Sequence, residues 1–80
     1  MGPNVYDSYL KHLGTRRAAE RAMGRYLVAA LEAAPHRMPD LGADERGNAL
    51  SAILLAPVAR SRRLAAILAY RALEAARLPS

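Results

Sequence analysis

The segment GNALSAILLAPVA, Gly47 to Ala59, carries no charged side chain, and RSRRLAAILAYRALEAAR, Arg60 to Arg77, follows it directly. Read together they decide the fold. Both halves are dominated by alanine and leucine, strong helix formers, and Pro57 stands between them with no N–H to donate and a ring that clashes one turn back. The spacing predicts a third helix inside or across residues 47–59, with Asn48 or a position just before it as cap. Leu50, Ile53 and Leu54 form its clearest face, and Leu55 points elsewhere. Pro57 ends or kinks that helix. A fourth helix then runs from Val58 or Arg62 to Arg77, with Ser61 as a cap if the break is real. Leu64, Ala65, Ile67, Leu68, Ala69, Ala72, Leu73, Ala75 and Ala76 cover a wide arc of it. Arg63, Tyr70, Glu74 and Arg77 fill the remainder, and Arg71 falls inside the apolar arc.

Upstream, the turn chemistry is equally legible. Asn4 can cap a first helix ending near Leu13, with Gly14 as its left-handed terminator and Lys11 and His12 suited to the dipole. Val5, Tyr6, Tyr9, Leu10 and Leu13 recur at helical spacing. Thr15 caps a second helix that runs to Ala34, stopped by Pro35 and Pro39. Its packing stripe is Ala19, Met23, Tyr26, Leu27, Ala30 and Ala34, with Leu31 at the edge. Arg16 and Arg17 oppose the dipole and Glu20 relieves them. Gly24 falls toward the polar side. Residues 35–48, PHRMPDLGADERGN, read as a loop in which Asp40 or Asp44 starts at most a short turn, and Leu78-Pro79-Ser80 reads as a tail. The expected architecture is all-α, a single domain spanning residues 1–80: a compact bundle of three or four helices with a kink or break at Pro57.

Composition supports this and narrows function. The chain has eighteen alanines and eleven arginines against one lysine, four tyrosines as its only aromatics, no cysteine and a formal charge of +5. Absent thiols remove disulfides and cysteine-ligated zinc. The first residues lack the basic and apolar regions of a secretory signal, and no stretch approaches the roughly 20 apolar residues of a membrane span, so a cytoplasmic location is expected.

Catalytic constellations are not found. Ser8 and His12 stand one turn apart, but Asp7 points about 100° from Ser8 and cannot orient the ring. His36 and Asp40 have no metal-ligand spacing. The glycines match no phosphate loop. The reading is therefore a non-enzymatic protein with no metal and no cofactor.

Two binding readings remain. Charge-free residues 48–59 and the broad arc of the fourth helix are more apolar surface than eighty residues readily hide. A small protein-binding module is expected, an accessory subunit, regulator or inhibitor with a protein partner or a homodimer. Leu50, Leu54, Leu55, Leu68 and Arg71 are its candidate contacts. If Leu54 is core, its replacement by alanine costs about 2–5 kcal/mol. The alternative is nucleic acid held by its phosphates: Arg17, Arg21 and Arg25 form a line about 12 Å long, and Arg60, Arg62 and Arg63 form an electropositive corner at the start of the fourth helix. A helix-turn-helix is a poor match, because the last helix lacks base-reading polar residues. A membrane surface fits less well, for want of Phe or Trp anchors.

Overall fold

A computed structural model describes residues 5–77. They form four helices: α1 (Val5–Leu13), α2 (Arg16–Ala33), α3 (Ala43–Leu55) and α4 (Arg60–Arg77). The all-α expectation holds, and Pro57 marks a full break between α3 and α4. The proposed cap at Asn4 and the tail 78–80 lie outside the described residues.

The α1–α2 junction follows the sequence closely. Gly14 takes φ +78°, the left-handed conformation that favours glycine, and its N–H bonds the Leu10 carbonyl at 2.9 Å. Thr15 Oγ1 then accepts from the Ala18 N–H at 3.2 Å and caps α2.

Helix α2 is the spine, with α1, α3 and α4 all packed on it. Two-sided packing buries more of its surface than one amphipathic stripe would. Ala22, Gly24 and Val28 join Ala19, Met23, Leu27 and Leu31 inside, while Ala30 and Ala34 are half-buried. Gly24 therefore belongs to the interior and not to the polar side. A Cβ built on it would lie 2.1 Å from the Ala52 carbonyl oxygen and 2.8 Å from Ala56 Cβ. Ala49, Ala52 and Ala56 make α3 thin on the facing side. The α2–α3 crossing is thus a backbone-to-backbone contact that a side chain at position 24 would hold open.

Helix α3 begins at Ala43, five residues ahead of the expected cap, so the loop contracts to residues 34–42. The charged run Asp44-Glu45-Arg46 is its first turn, where two carboxylates suit the positive end of the dipole. Glu45 is buried, 3% exposed. Its Oε1 accepts from the Gly42 N–H at 2.9 Å, closing back on its own helix start. Its Oε2 accepts from the Tyr6 N–H in the first turn of α1. One carboxylate thus satisfies orphan amides at the beginnings of two helices. This matters most to α1, which has no fully buried residue and whose Leu13 is 48% exposed, against its expected place on the packing face.

The inward face of α4 reverses the sequence expectation. Ala66 and Tyr70 are its buried residues, with Arg63, Ile67, Ala69 and Leu73 half-buried beside them. Leu64 and Leu68 of the broad apolar arc are outside, and Arg71 is exposed with them. Two members of the polar strip, Arg63 and Tyr70, face inward and bond backbone carbonyls of α3 and the turn after it, while Glu74 and Arg77 are exposed. Arg63 Nη2 donates to the Ala56 carbonyl at 2.9 Å and the Val58 carbonyl at 3.2 Å, holding the chain reversal around Pro57. Tyr70 Oη, at 3.4 Å from the Arg46 carbonyl, marks the other end of the pair. Ser61 lies one residue inside α4 and is not its cap.

Candidate functional site

Antiparallel pairing sets the register of the α3–α4 hairpin. Arg63 meets Ala56 at one end and Tyr70 meets Arg46 at the other, which puts Leu54 level with Leu64 and Leu50 level with Leu68. Buried Ala49, Ala52, Ile53 and Ala56 define the inner side of α3, and Leu54 projects from the opposite side, 57% exposed. Leu64 and Leu68, 56% and 61% exposed, project from α4 away from Ala66 and Tyr70. At 100° per residue these three leucines share the hairpin face turned away from α2. Arg60, Leu64, Leu68 and Arg71 follow one another at i, i+4, i+8 and i+11, a stripe with arginine at each end.

The candidate contacts are thus separated. Leu54, Leu68 and Arg71 share the outer face, and Leu64 joins them unanticipated. Leu50 is half-buried and packs on the core at the α3–α4 seam. Leu55 is 56% exposed but lies on another side of α3, at a cleft against α1 and α2. Leu54 is not core, so the cavity cost of a buried leucine does not apply to it. The sequence misled here because Leu50, Ile53 and Leu54 do share one helical arc. The alanines on the other side of Ile53 win the interior, since only small side chains allow the approach to Gly24.

The arginines are also divided. Arg17, Arg21 and Arg25 are exposed along α2, as is Arg60 at the start of α4. Arg62 leaves the expected corner to form a two-pronged ion pair with Glu32: Nε to Oε2 at 2.7 Å and Nη2 to Oε1 at 2.6 Å. Those hydrogen bonds hold the Glu32 carboxyl below its ordinary range and the Arg62 guanidinium above its own. It is the ion pair found among the described residues, so Glu20 does not bridge to Arg16 or Arg17. Arg63 is spent on the Ala56 and Val58 carbonyls, and its buried Nε has no partner.

Two clefts flank the spine. The first, about 490 Å³, lies between α1, α2 and α3 and is lined by Asp7, Glu20, Asp44, Glu45 and Arg16 beside Met23 and Leu55. The second, about 550 Å³, opens where α2 ends and is lined by Arg37, Arg46, Arg77, Asp40 and Tyr26 together with Ala30, Ala34, Met38 and Pro39. Ser8, His12 and His36 are exposed. Among the described residues, no group of three or more His, Cys, Asp or Glu is arranged to hold a metal ion. No helix among them is long and apolar enough to cross a membrane.

Burial raises the pKa of Tyr70; Glu74 adds to the rise, and Arg46 and Arg77 act against it. Tyr26 is raised too, by burial first and then by Asp40, Tyr9 and Glu45. A tyrosine whose folded pKa exceeds its unfolded value keeps its proton longer in the native state. Its contribution is intact below the ordinary value of 10.0 and is lost as pH rises from there through the folded value. Urea unfolding measured from pH 9 upward should show stability falling with pH. Tyr70→Phe should shrink that slope and Tyr26 should sustain the rest. An unchanged slope in Tyr70→Phe would contradict the assignment.

No family model, curated protein or solved structure matches the chain.

Proposed function

We propose that this chain is a small non-enzymatic protein-binding module whose docking surface is the outer face of the α3–α4 hairpin. The observation that carries this reading is the coincidence of Leu54, Leu64 and Leu68, each more than half exposed, on one face of a chain whose other large apolar side chains are mostly buried or half-buried. Isolated exposed leucines are ordinary; three on one face, continuous with half-buried Leu50 and Ile67, form a patch of the kind partners cover.

Charge selects the partner. Arg60 and Arg71 bracket the leucines, and the whole chain carries +5. A twofold copy would place like-charged faces together, which disfavours a homodimer. An amphipathic helix with an apolar ridge and acidic flanks matches both features, the leucines taking its ridge and the arginines its carboxylates. Phosphate binding by nucleic acid ranks second. With Arg62 and Arg63 engaged inside the chain, it has the α2 line and Arg60 left from the original six.

The test uses a labelled synthetic helix carrying leucines at i, i+3, i+4 and i+7 with glutamates on both flanks, titrated by fluorescence anisotropy. Leu54→Ser with Leu68→Ser should weaken binding at least about ten-fold, the loss expected when about 1.4 kcal/mol of contact is removed. Helicity should be retained, because both residues are exposed. Unchanged affinity would contradict the reading. A wild-type dimer in sedimentation equilibrium, dissociated by the same substitutions, would make the occupant a second copy instead.

A further inference from the structure

We infer that the second cleft, at the end of the bundle where α2 stops and α4 arrives, is a binding site for a small phosphorylated molecule. Three arginines from three different segments meet there: Arg37 from the 34–42 loop, Arg46 from the start of α3 and Arg77 from the last turn of α4. None of the three guanidinium groups donates a hydrogen bond or forms an ion pair among the described residues. Asp40 lines the same cleft without neutralising any of them, so the side-chain charge there remains +2.

Ordinary structural reasons explain these arginines unequally. Arg77 suits the negative end of the α4 dipole, and Arg37 stands in an exposed loop. Arg46 does neither. It is in the opening turn of α3, where the dipole disfavours a cation. Arg46 and Arg77 line the same cleft, and both act on the Tyr70 hydroxyl beside it. Glu74 acts on the same hydroxyl and offsets part of that charge, but three arginines against Asp40 and Glu74 still leave positive charge in excess, which an anion in the cleft would pair with.

The shape of the cleft selects the size of ligand. About 550 Å³ falls within the range of small-molecule sites. Ala30, Ala34, Met38 and Pro39 add apolar surface to a mostly polar lining, and Tyr26 stands beside them. A phosphomonoester or diphosphate with a compact organic part fits that combination. The extended exposed line on α2 is a different kind of surface, suited to a polyanion.

Pyrophosphate is the probe for the charge chemistry. Followed by NMR at 150 mM NaCl, it should shift the arginine Nε–H signals of residues 37, 46 and 77 together, with one saturating affinity. Arg46→Gln and Arg77→Gln should each weaken that affinity at least about ten-fold. Arg17→Gln with Arg21→Gln should leave it unchanged. Both cleft variants remove exposed side chains, and their folding is checked by circular dichroism; Arg37→Gln, in the loop, gives a third reading independent of any helix. Parallel titrations with a DNA duplex and with anionic phospholipid vesicles distinguish the source of the phosphate. Shifts spread equally over the α2 arginines, unchanged affinity in Arg46→Gln, or tight binding confined to duplex or vesicles would each overturn the inference. None of these variants touches Leu54, Leu64 or Leu68, so failure here and failure of hairpin docking are separable.

Discussion

Replacing Gly24 with alanine is expected to lower the unfolding free energy by about 3 kcal/mol or more, against the usual direction of such a change inside a helix. At an unconstrained position alanine gains roughly 1 kcal/mol over glycine. At position 24 the new methyl carbon would sit 2.1 Å from the Ala52 carbonyl oxygen, a backbone atom that cannot swing aside. Helices α2 and α3 would have to separate, and the tight contacts along Ala52, Ile53 and Ala56 would loosen with them. Overpacking of flexible side chains costs roughly 1–3 kcal/mol, and a rigid backbone neighbour places this case at or above the upper end. A domain of this size has a margin of only several kcal/mol, so the midpoint of thermal unfolding should fall by about 10–20 °C. Gly47→Ala is the matched control. Gly47 is also helical, and a methyl group there would meet nothing within 4 Å, so that variant should be more stable than wild type. If Gly24→Ala were stabilising as well, the close crossing of α2 and α3 would be disproved.

The second large effect is expected at Glu45. Its carboxylate accepts from both the Gly42 and the Tyr6 backbone N–H, at the starts of α3 and α1. Bonds to an ionised acceptor contribute about 1.5–3 kcal/mol each, so Glu45→Ala should cost about 3–4 kcal/mol. Glu45→Gln keeps one carbonyl acceptor but turns an amide toward the other donor, and about 2 kcal/mol should be lost. The distribution of the damage is more telling than its size. A nine-residue helix is marginal alone in water. Without its anchor α1 should fray first, so amide exchange in residues 6–13 of Glu45→Gln should accelerate before that of α2. Uniform acceleration across all four helices would show that Glu45 acts only through global stability.

These two residues also show where sequence reading stops. Gly14 and Thr15 were legible because a left-handed glycine followed by a capping hydroxyl is a local pattern, complete within a few residues. The all-α class was legible for the same reason, and Pro57 was legible as a kink or a break, which the separate helices α3 and α4 resolve as a break. Gly24 was not, since the meaning of a mid-helix glycine depends on which backbone lies across from it. The alanines at 49, 52 and 56, a thin side on a neighbouring helix, were the available signal. Glu45 was hidden inside a charged run that resembled a loop, although Gly42-Ala-Asp-Glu45 has the spacing of a helix start.

The candidate surface was legible in composition and misplaced in detail. An excess of leucine and alanine on the last two helices was plain from the sequence. Which face it occupied was not, because Tyr70 and Arg63 turn inward to satisfy α3 carbonyls. That rotation of α4 exposes Leu64 and Leu68 and leaves Arg71 on the same outer stripe. Arg71 therefore needs no buried partner, and its place beside the leucines makes it part of the proposed docking face.

Charge inversion on that face tests its partner most directly. Arg60→Glu with Arg71→Glu would be titrated with two helical peptides sharing one leucine ridge, one flanked by glutamates and the other by lysines. Wild type should bind the glutamate peptide at least about ten-fold more tightly, and the doubly inverted variant should reverse that order. If both proteins bound both peptides alike, the hairpin face would not be a surface that selects an acidic amphipathic partner.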